Sequence, residues 1–174
     1  MKVSLLPTLT RCWTRIGQQR IIPTPGPYAA TCWNWGAVDV VSGQTVHVIH
    51  SRRNNIGFRR LLAAIARDYA LGDHPQRQVI LFVDNDKAHK AKVVQSLLAK
   101  HKHQIRLEFL APYSPEYNPQ EDIWQHLRRR VTHNHYFETM RALTRAVADF
   151  HRELQSDPAQ ALRLTKKWAK LIAT

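Results

Sequence analysis

The sequence predicts an α/β fold in which a mixed β-sheet is flanked by helices. A β-hairpin pattern comes first, segments with helical and strand periodicity then alternate, and two long helices follow. The 174 residues provide room for one globular domain with a sizeable core. We expect that domain to occupy residues 1–155, followed by a basic helical tail at residues 156–174.

The first third of the chain predicts extended structure and a hairpin. Residues 1–30 are rich in proline and glycine, which favours extended segments and turns over a long helix. Two runs rich in β-branched and aromatic residues follow at 31–41 and 44–49. Ser42-Gly43 separates these runs as a tight turn would, so they are predicted to pair. Asp39 is expected to be a strand-end or turn acid, with little to favour a metal-binding role.

The rest of the chain alternates between helix and strand patterns. Apolar residues recur every three or four positions, predicting amphipathic helices, at 56–71 and 90–100. Short apolar runs predict strands at 79–83 and 105–110. The first of these runs is apolar throughout, which is typical of a strand buried on both faces. Two long helices are predicted at about 119–130 and 137–155, and a basic amphipathic helix at 159–173.

The charge balance indicates a polyanionic partner. The chain has 26 Lys and Arg against 13 Asp and Glu, a formal charge of +13. This charge is spread along the chain, which favours nucleic acid over a ribosomal location or a merely basic surface. No apolar run could span a bilayer, and Pro7 interrupts the N-terminal apolar segment, so neither membrane insertion nor export is expected. Cys12 and Cys32 are expected to be reduced packing residues.

Two acidic residues stand at positions suited to chemistry. Asp84 directly follows the 79–83 strand, at the end where α/β sheets bind polar ligands. Glu121 lies in the first turn of the helix that begins at Pro119. Each has a simpler interpretation, because Asp84 could cap the next helix and a carboxylate at a helix start gains from the helix dipole. Together they could hold a hard cation through oxygen ligands, as metal-dependent phosphoryl transfer requires.

The same residues lie in a longer motif. Two blocks of the sequence resemble the second and third catalytic blocks of the mariner-related bacterial insertion-sequence transposases, which are DDE-type enzymes: Val83-Asp84-Asn85-x-x-x-His89-Lys90 and Leu110-Ala111-Pro112-Tyr113-Ser114-Pro115-x-x-Asn118-Pro119-x-Glu121-x-x-Trp124. The separation of Asp84 and Glu121 is similar to that between the family's last two acids, and the resemblance runs from about Leu5 to Phe150.

The resemblance implies a ribonuclease-H-like fold, catalysis with Mg²⁺ or Mn²⁺, and DNA strand cleavage and transfer at transposon ends. It puts Asp84 and Glu121 at metal-ligand positions. It also implies DNA, both transposon ends and target, as the partner, and a location with that DNA in the bacterial cytoplasm. No role is assigned to the other motif residues, Asn85, His89, Asn118 and Trp124.

The chain departs from the family pattern at its start. The family's first catalytic Asp, and the strand that carries it, lie just upstream of a segment resembling residues 5–13, which here puts them before Met1. The resemblance therefore implies that residues 1–155 are a partial catalytic domain whose first central strand is missing. Such a chain is expected either to be inactive alone, with a homodimer or a complementing upstream polypeptide as partner, or to be a non-catalytic DNA-binding remnant.

Basic residues lie near both acids in the sequence. Six are predicted to contact DNA phosphates: Arg52, Arg53, Lys90, Arg128, Arg129 and Arg130. For any single arginine a solvated surface position is the alternative, so the prediction concerns the group.

Overall fold

The computed structural model of the protein describes residues 1–24, 30–101, 104–112 and 114–168. The elements, in chain order, are β1 (Lys2–Ser4), β2 (Thr31–Val38), β3 (Thr45–His50), α1 (Asn55–Asp68), β4 (Val79–Val83), α2 (Lys92–Lys100), β5 (Ile105–Phe109), α3 (Pro119–Leu127), α4 (Met140–Ser156) and α5 (Pro158–Leu164). The motif residue Tyr113 and the end of the predicted basic helix, 169–173, lie outside the described residues. In the part of the chain that is described, no helix has the length and apolar character needed to cross a membrane.

The strands form two sheets. In the first, antiparallel strands lie in the order β1-β2-β3, with Val3 opposite Cys32 and Trp35 opposite Val48. In the second, β4 and β5 run parallel, with Leu81 opposite Leu107. The predicted hairpin is confirmed, as β2 and β3.

The predicted gap beside β2 is partly filled. Three residues, Lys2–Ser4, form β1 on the edge of β2 that faces away from β3, although no strand pattern marks them in the sequence. Among the described strands, β1 pairs with β2 alone and β4 with β5 alone. The hairpin and β4 therefore do not pair directly.

Two apolar clusters hold these layers together. In the first, β1 and β2 pack against α3, α4 and α5, and its buried residues include Val3, Cys32, Ile123, Leu143 and Ala161. In the second, α1 and α2 pack against the sheets, and its buried residues include Val46, Phe58, Leu62, Val94 and Ile105. Burying one such large side chain stabilises the fold by roughly 1.5–3 kcal/mol. The expected packing role is confirmed for Cys32 and is wrong for Cys12, which is exposed.

Strand β4 is buried on one face only. Val83 is 6% exposed and Val79 and Leu81 pack against the second cluster, whereas Ile80 is 48% and Phe82 61% exposed. This alternation follows the two-residue period of a strand. The prediction of burial on both faces is therefore wrong, because α1 and α2 cover the same face of β4.

Helix α5 and the residues after it pack against the domain. Ala161 and Thr165 are fully buried, and the Trp168 indole Nε1 donates a hydrogen bond of 2.8 Å to Oδ2 of Asp122. The Lys167 ammonium lies 3.0 Å from Oδ1 of the same carboxylate. Residues 158–168 thus pack against the first turn of α3. The domain boundary at residue 155 stays a prediction.

A buried polar cluster joins α4 to the first sheet. The His151 ring, 1% exposed, stacks on His47 of β3 with ring centroids 4.1 Å apart, and its Nε2 lies 2.8 Å from Nδ2 of Asn34 on β2. Because Nδ2 of an amide can only donate, His151 Nε2 is the acceptor. Burial, and to a smaller extent His47, lowers the pKa of His151 to about 3.

We expect the free energy of unfolding to fall as the pH is lowered from about 6.5, because the unfolded chain takes up a proton at His151 that the folded chain refuses. Each pH unit below 6.5 costs about 1.4 kcal/mol, or about 2 kcal/mol by pH 5. Urea unfolding of the protein and of His151→Gln, measured from pH 7.5 to 5, tests this. A glutamine variant that loses stability just as steeply over this range would contradict it.

Candidate metal and DNA site

Asp84 lies in the loop that leaves the carboxyl end of β4. Its side chain is 60% exposed, and its Oδ1 accepts a 3.0 Å hydrogen bond from the main-chain N–H of Asp86. Nδ1 of His89 lies 3.2 Å from the same oxygen. The His89 hydrogen bond, assisted by that of Asp86, holds the pKa of Asp84 below its ordinary value despite burial. Asp84 is therefore an ionised, oriented carboxylate at neutral pH.

Side chains tie this loop to the end of β5. The Asn85 amide Nδ2 donates a 2.7 Å hydrogen bond to the main-chain oxygen of Leu110, directly after β5. Lys90 in turn donates to Oδ1 of Asn85 at 3.1 Å and lies over the Phe109 ring, 5.0 Å from its centroid. The carboxyl ends of β4 and β5 are thus held together at the point where the chain turns towards α3.

Glu121 is placed by the start of α3. Asn118 caps this helix by accepting a 3.1 Å hydrogen bond from the Gln120 N–H, and Pro119 fits the first helical position because it has no N–H to satisfy. The Glu121 side chain is 39% exposed, and its nearest cation is the Arg128 guanidinium, at 3.8 Å. A carboxylate with so loose a partner remains available to another cation.

Asp84 and Glu121 both raise the pKa of the same group, the amino group of Met1. Burial lowers the pKa of this amine to about 6, while Glu121 and Asp84 act in the opposite direction. The amine donates a 2.7 Å hydrogen bond to the main-chain oxygen of Asn34 as β1 begins to pair with β2. Asp84 and Glu121 therefore both lie within electrostatic range of the start of β1. Across the described ranges, no cluster of three or more His, Cys, Asp or Glu side chains suited to a metal is found.

Three of the six predicted DNA-binding residues lie in an unusual helical turn. Arg128, Arg129 and Arg130 open a π-helical turn, Arg128–Thr132, that continues α3 where the sequence predicts ordinary helix. The His133 N–H donates a 2.7 Å hydrogen bond to the Arg128 oxygen, five residues earlier. Turns of this kind are frequent at functional sites.

The structure engages four of the six basic residues in contacts within the chain. Arg53 binds Oδ2 of Asp86 through two nitrogens, at 2.9 and 2.5 Å, and lies over the Trp33 ring. Arg130 binds Glu153 at 2.9 Å, while Arg128 and Lys90 make the contacts described above. Arg52 and Arg129 are exposed and form no ion pair within the described ranges. Because exposed ion pairs are weak, the four paired side chains can still exchange these partners for phosphate.

Comparison with known proteins identifies the family of the chain. A family described as DDE superfamily endonuclease matches residues 1–144, which is most of the chain. The chain belongs to this family. The predicted resemblance to mariner-related transposases is thereby confirmed.

Individual relatives agree. An uncharacterized 39 kDa protein of insertion element IS630 from Shigella sonnei is 29% identical over 168 residues, covering 94% of this chain and 46% of that protein. The mariner Mos1 paired-end complex with Mg superposes with a TM-score of 0.67 at 16% identity, covering 98% of this chain and 50% of that one. The Mos1 transposase catalytic domain with Raltegravir and Mn gives a TM-score of 0.58 at 16% identity, covering 82% and 71%.

These likenesses confirm the predicted fold class, the ribonuclease-H-like fold of transposase catalytic domains. The chain spans about half the length of the insertion-element protein and of the Mos1 chain in the complex with Mg. The roles of the individual site residues stay predictions.

Sequence reasoning missed three contacts at this site. It singled out His89 without a role, and it did not foresee Asp86 as the partner of Arg53 or Asp122 as the partner of Trp168. The only signal was the position of His89 within the motif, because the other two contacts join residues 33 and 46 positions apart.

Proposed function

We propose that this chain acts in DNA transposition, contributing Asp84 and Glu121 as metal-binding carboxylates for strand cleavage and transfer at transposon ends. The observation that carries the proposal is the position of the two motif acids, which have 36 residues between them: Asp84 directly follows β4, Glu121 lies in the first turn of α3, and both raise the pKa of the Met1 amino group. Membership of the DDE superfamily endonucleases supports the reaction class.

The donor chemistry fits a hard divalent cation. Asp84 and Glu121 offer carboxylate oxygens, the ligands that Mg²⁺ prefers, and Mn²⁺ accepts the same set. When bound, such an ion activates an attacking oxygen and stabilises the leaving oxygen of a phosphodiester. The residues of this chain hold and orient the carboxylates: His89 and the Asp86 N–H fix Asp84, and the Asn118 cap fixes the helix start that carries Glu121.

We further propose that the chain works with a partner chain that adds a carboxylate to this pair. A complementing upstream polypeptide is one source of that carboxylate. A second copy of the chain in a homodimer is the other source that the sequence left open. Cleavage by this chain alone would indicate the second copy. Cleavage only after mixing with an upstream polypeptide, or after joining to one, would indicate the complementing polypeptide.

The proposed DNA surface surrounds the carboxylates and includes the six basic residues Arg52, Arg53, Lys90, Arg128, Arg129 and Arg130. The net charge of +13 supports it, and solved relatives include a Mos1 transposase paired-end complex with a transposon end. The expected location of the protein is with DNA in the bacterial cytoplasm, which stays a prediction.

Arg129→Ala is expected to weaken DNA binding uniformly across sequences, because an exposed guanidinium contacts phosphate and not base edges. The slope of log affinity against log salt should fall by about 1, because the variant neutralises one phosphate fewer. Arg67→Ala is the matched control, because Arg67 binds Asp68 at the far end of α1 from Arg53. Equal slopes for Arg129→Ala and Arg67→Ala would remove Arg129 from the proposed surface.

The proposed function is tested by strand cleavage of transposon-end DNA with Mg²⁺ or Mn²⁺, using this chain alone and this chain mixed with a complementing upstream polypeptide. Cleavage that Asp84→Ala abolishes and Asp73→Ala leaves intact is the expected result. Asp73 is the control because it is an exposed acid in the loop between α1 and β4.

A non-catalytic DNA-binding role is the second candidate. It is favoured by one observation, that the described residues bring together no group of three metal-binding side chains. DNA binding without metal-dependent cleavage, both with and without upstream sequence, would support this candidate and contradict the proposed function.

A further inference from the structure

His89 contacts Asp84 twice from within the protein core. Its ring nitrogen Nδ1 lies 3.0 Å from the main-chain oxygen of Asp84 and 3.2 Å from the carboxylate Oδ1. Both neighbours are oxygen acceptors, so the ring must carry its proton on Nδ1 to satisfy either. The side chains differ sharply in exposure, 8% for His89 and 60% for Asp84. The buried His89 ring therefore holds its N–H donor against a carboxylate, that of Asp84, which faces solvent.

The position of the His89 ring is determined by the core. It packs on Phe58, with ring centroids 4.2 Å apart, and meets the edge of Trp35 at 6.1 Å. Phe58 is itself 1% exposed and belongs to the second apolar cluster. Trp35 in turn lies against Gly57 of α1, where a side chain would collide with the indole. Because packing fixes buried rings in one rotamer, the direction of the Nδ1–H is set by β2 and α1.

Two contacts to Oδ1 favour one orientation of the Asp84 carboxylate. Oδ1 accepts from the Asp86 N–H and lies 3.2 Å from Nδ1 of His89, while within the described ranges Oδ2 accepts no side-chain hydrogen bond. Oδ2 is thus the oxygen left for a cation. Groups that orient a metal-binding side chain in this way commonly contribute about 10–100-fold to metal affinity.

We propose that His89 is a positioning residue that fixes the Asp84 carboxylate for divalent-cation binding. His89 does not bind the cation itself, because its Nδ1 is occupied by Asp84 and its ring is enclosed by Phe58 and Trp35. The inference rests on the proposed role of Asp84 as a metal ligand. It assigns a task to the one buried histidine of the Asp84 motif.

Three substitutions at residue 89 separate positioning from packing. His89→Leu fills the site without a donor, His89→Asn returns a donor close to the Nδ1 position, and His89→Gln places its donor one bond further out. Mn²⁺ binding to the whole chain, followed by electron paramagnetic resonance of the free ion, is the readout. Thermal unfolding of each variant reports packing separately. His74→Leu, in the exposed loop before β4, is the control.

We expect His89→Leu and His89→Gln to weaken Mn²⁺ binding about 10-fold and His89→Asn to restore most of the affinity. In an Asp84→Asn background, the His89 substitutions should cause no further loss, since the group that His89 positions is gone. If His89→Leu does not fold, the comparison of His89→Asn with His89→Gln carries the same test.

Folded His89 variants that bind Mn²⁺ as tightly as the parent, while Asp84→Asn does not, would overturn the positioning role and leave the proposed metal site intact. Equal losses for Asn, Gln and Leu at residue 89 would also overturn it, because a donor at Nδ1 would then not matter. Mn²⁺ binding that survives Asp84→Asn would instead overturn the proposed metal site.

Discussion

Asp84→Asn and Glu121→Gln are each expected to weaken Mn²⁺ binding by more than the roughly 10-fold cost of removing a supporting residue. Each change removes one negative charge from a cation ligand and nearly preserves side-chain shape. The two losses of affinity should not add in the double variant, because the second ligand contributes less to affinity once the first has been removed. Mn²⁺ titration followed by electron paramagnetic resonance measures both affinities.

Asp122→Asn is the matched control for Glu121→Gln. Asp122 follows Glu121 in the same helical turn, but its carboxylate is bound by Lys167 and Trp168. The Asp122→Asn substitution removes the same charge from nearly the same place. Because it breaks the contacts with Lys167 and Trp168, it should alter stability more than metal affinity. If Asp122→Asn weakens Mn²⁺ binding as much as Glu121→Gln does, the effect is one of net charge and Glu121 is not a ligand.

Gly43→Ala is expected to cause the largest loss of stability among the glycine substitutions compared here, about 2–5 kcal/mol. Gly43 has φ +76°, and a Cβ there would collide with the Pro158 carbonyl at the start of α5 and lie 2.9 Å from Leu162. The left-handed conformation costs an alanine roughly 1–2 kcal/mol, and overpacking roughly 1–3 kcal/mol more. Urea unfolding midpoints measure the change.

Three other glycines separate these two costs. Gly17 has φ +80° with nothing within 4 Å, so alanine there meets the backbone cost alone. Gly57 lies in α1 against the Trp35 indole, with Cε2 at 2.7 Å, so alanine there meets the collision, offset by about 1 kcal/mol of helix propensity. Gly72 has neither, and Gly72→Ala should change stability by less than about 0.5 kcal/mol. A Gly43→Ala protein as stable as Gly72→Ala would contradict the packing of α5 on the hairpin.

Local patterns in the sequence predicted most of the elements. In α1 and α4 the apolar residues recur with the helical period, and in β2 and β3 they alternate. These periods show which face each element buries, and they can be read from the sequence alone. Pro119 and Asn118 likewise marked the start of α3. The placement of Asp84 after a strand and Glu121 at a helix start followed from these elements.

What the sequence could not predict depends on partners distant in the chain. Lys2–Ser4 is too short to show a strand pattern and is a strand only because β2 offers a free edge. Ile80 and Phe82 carry the residue types of a covered strand, and their exposure depends on which face α1 and α2 take. The π-helical turn at Arg128–Thr132 has no periodic signature that distinguishes it from a continuing helix.

Asp84 and Glu121 are proposed to bind one divalent cation between them. Loading the protein with Fe²⁺ in place of Mg²⁺ and adding ascorbate and peroxide releases hydroxyl radicals at the bound ion, which cut the nearby backbone. Cuts close to both Asp84 and Glu121, suppressed together by excess Mg²⁺ and abolished together in Asp84→Asn, are the predicted result. Cuts near only one of the two residues, or cuts that Asp84→Asn leaves unchanged, would contradict a shared site.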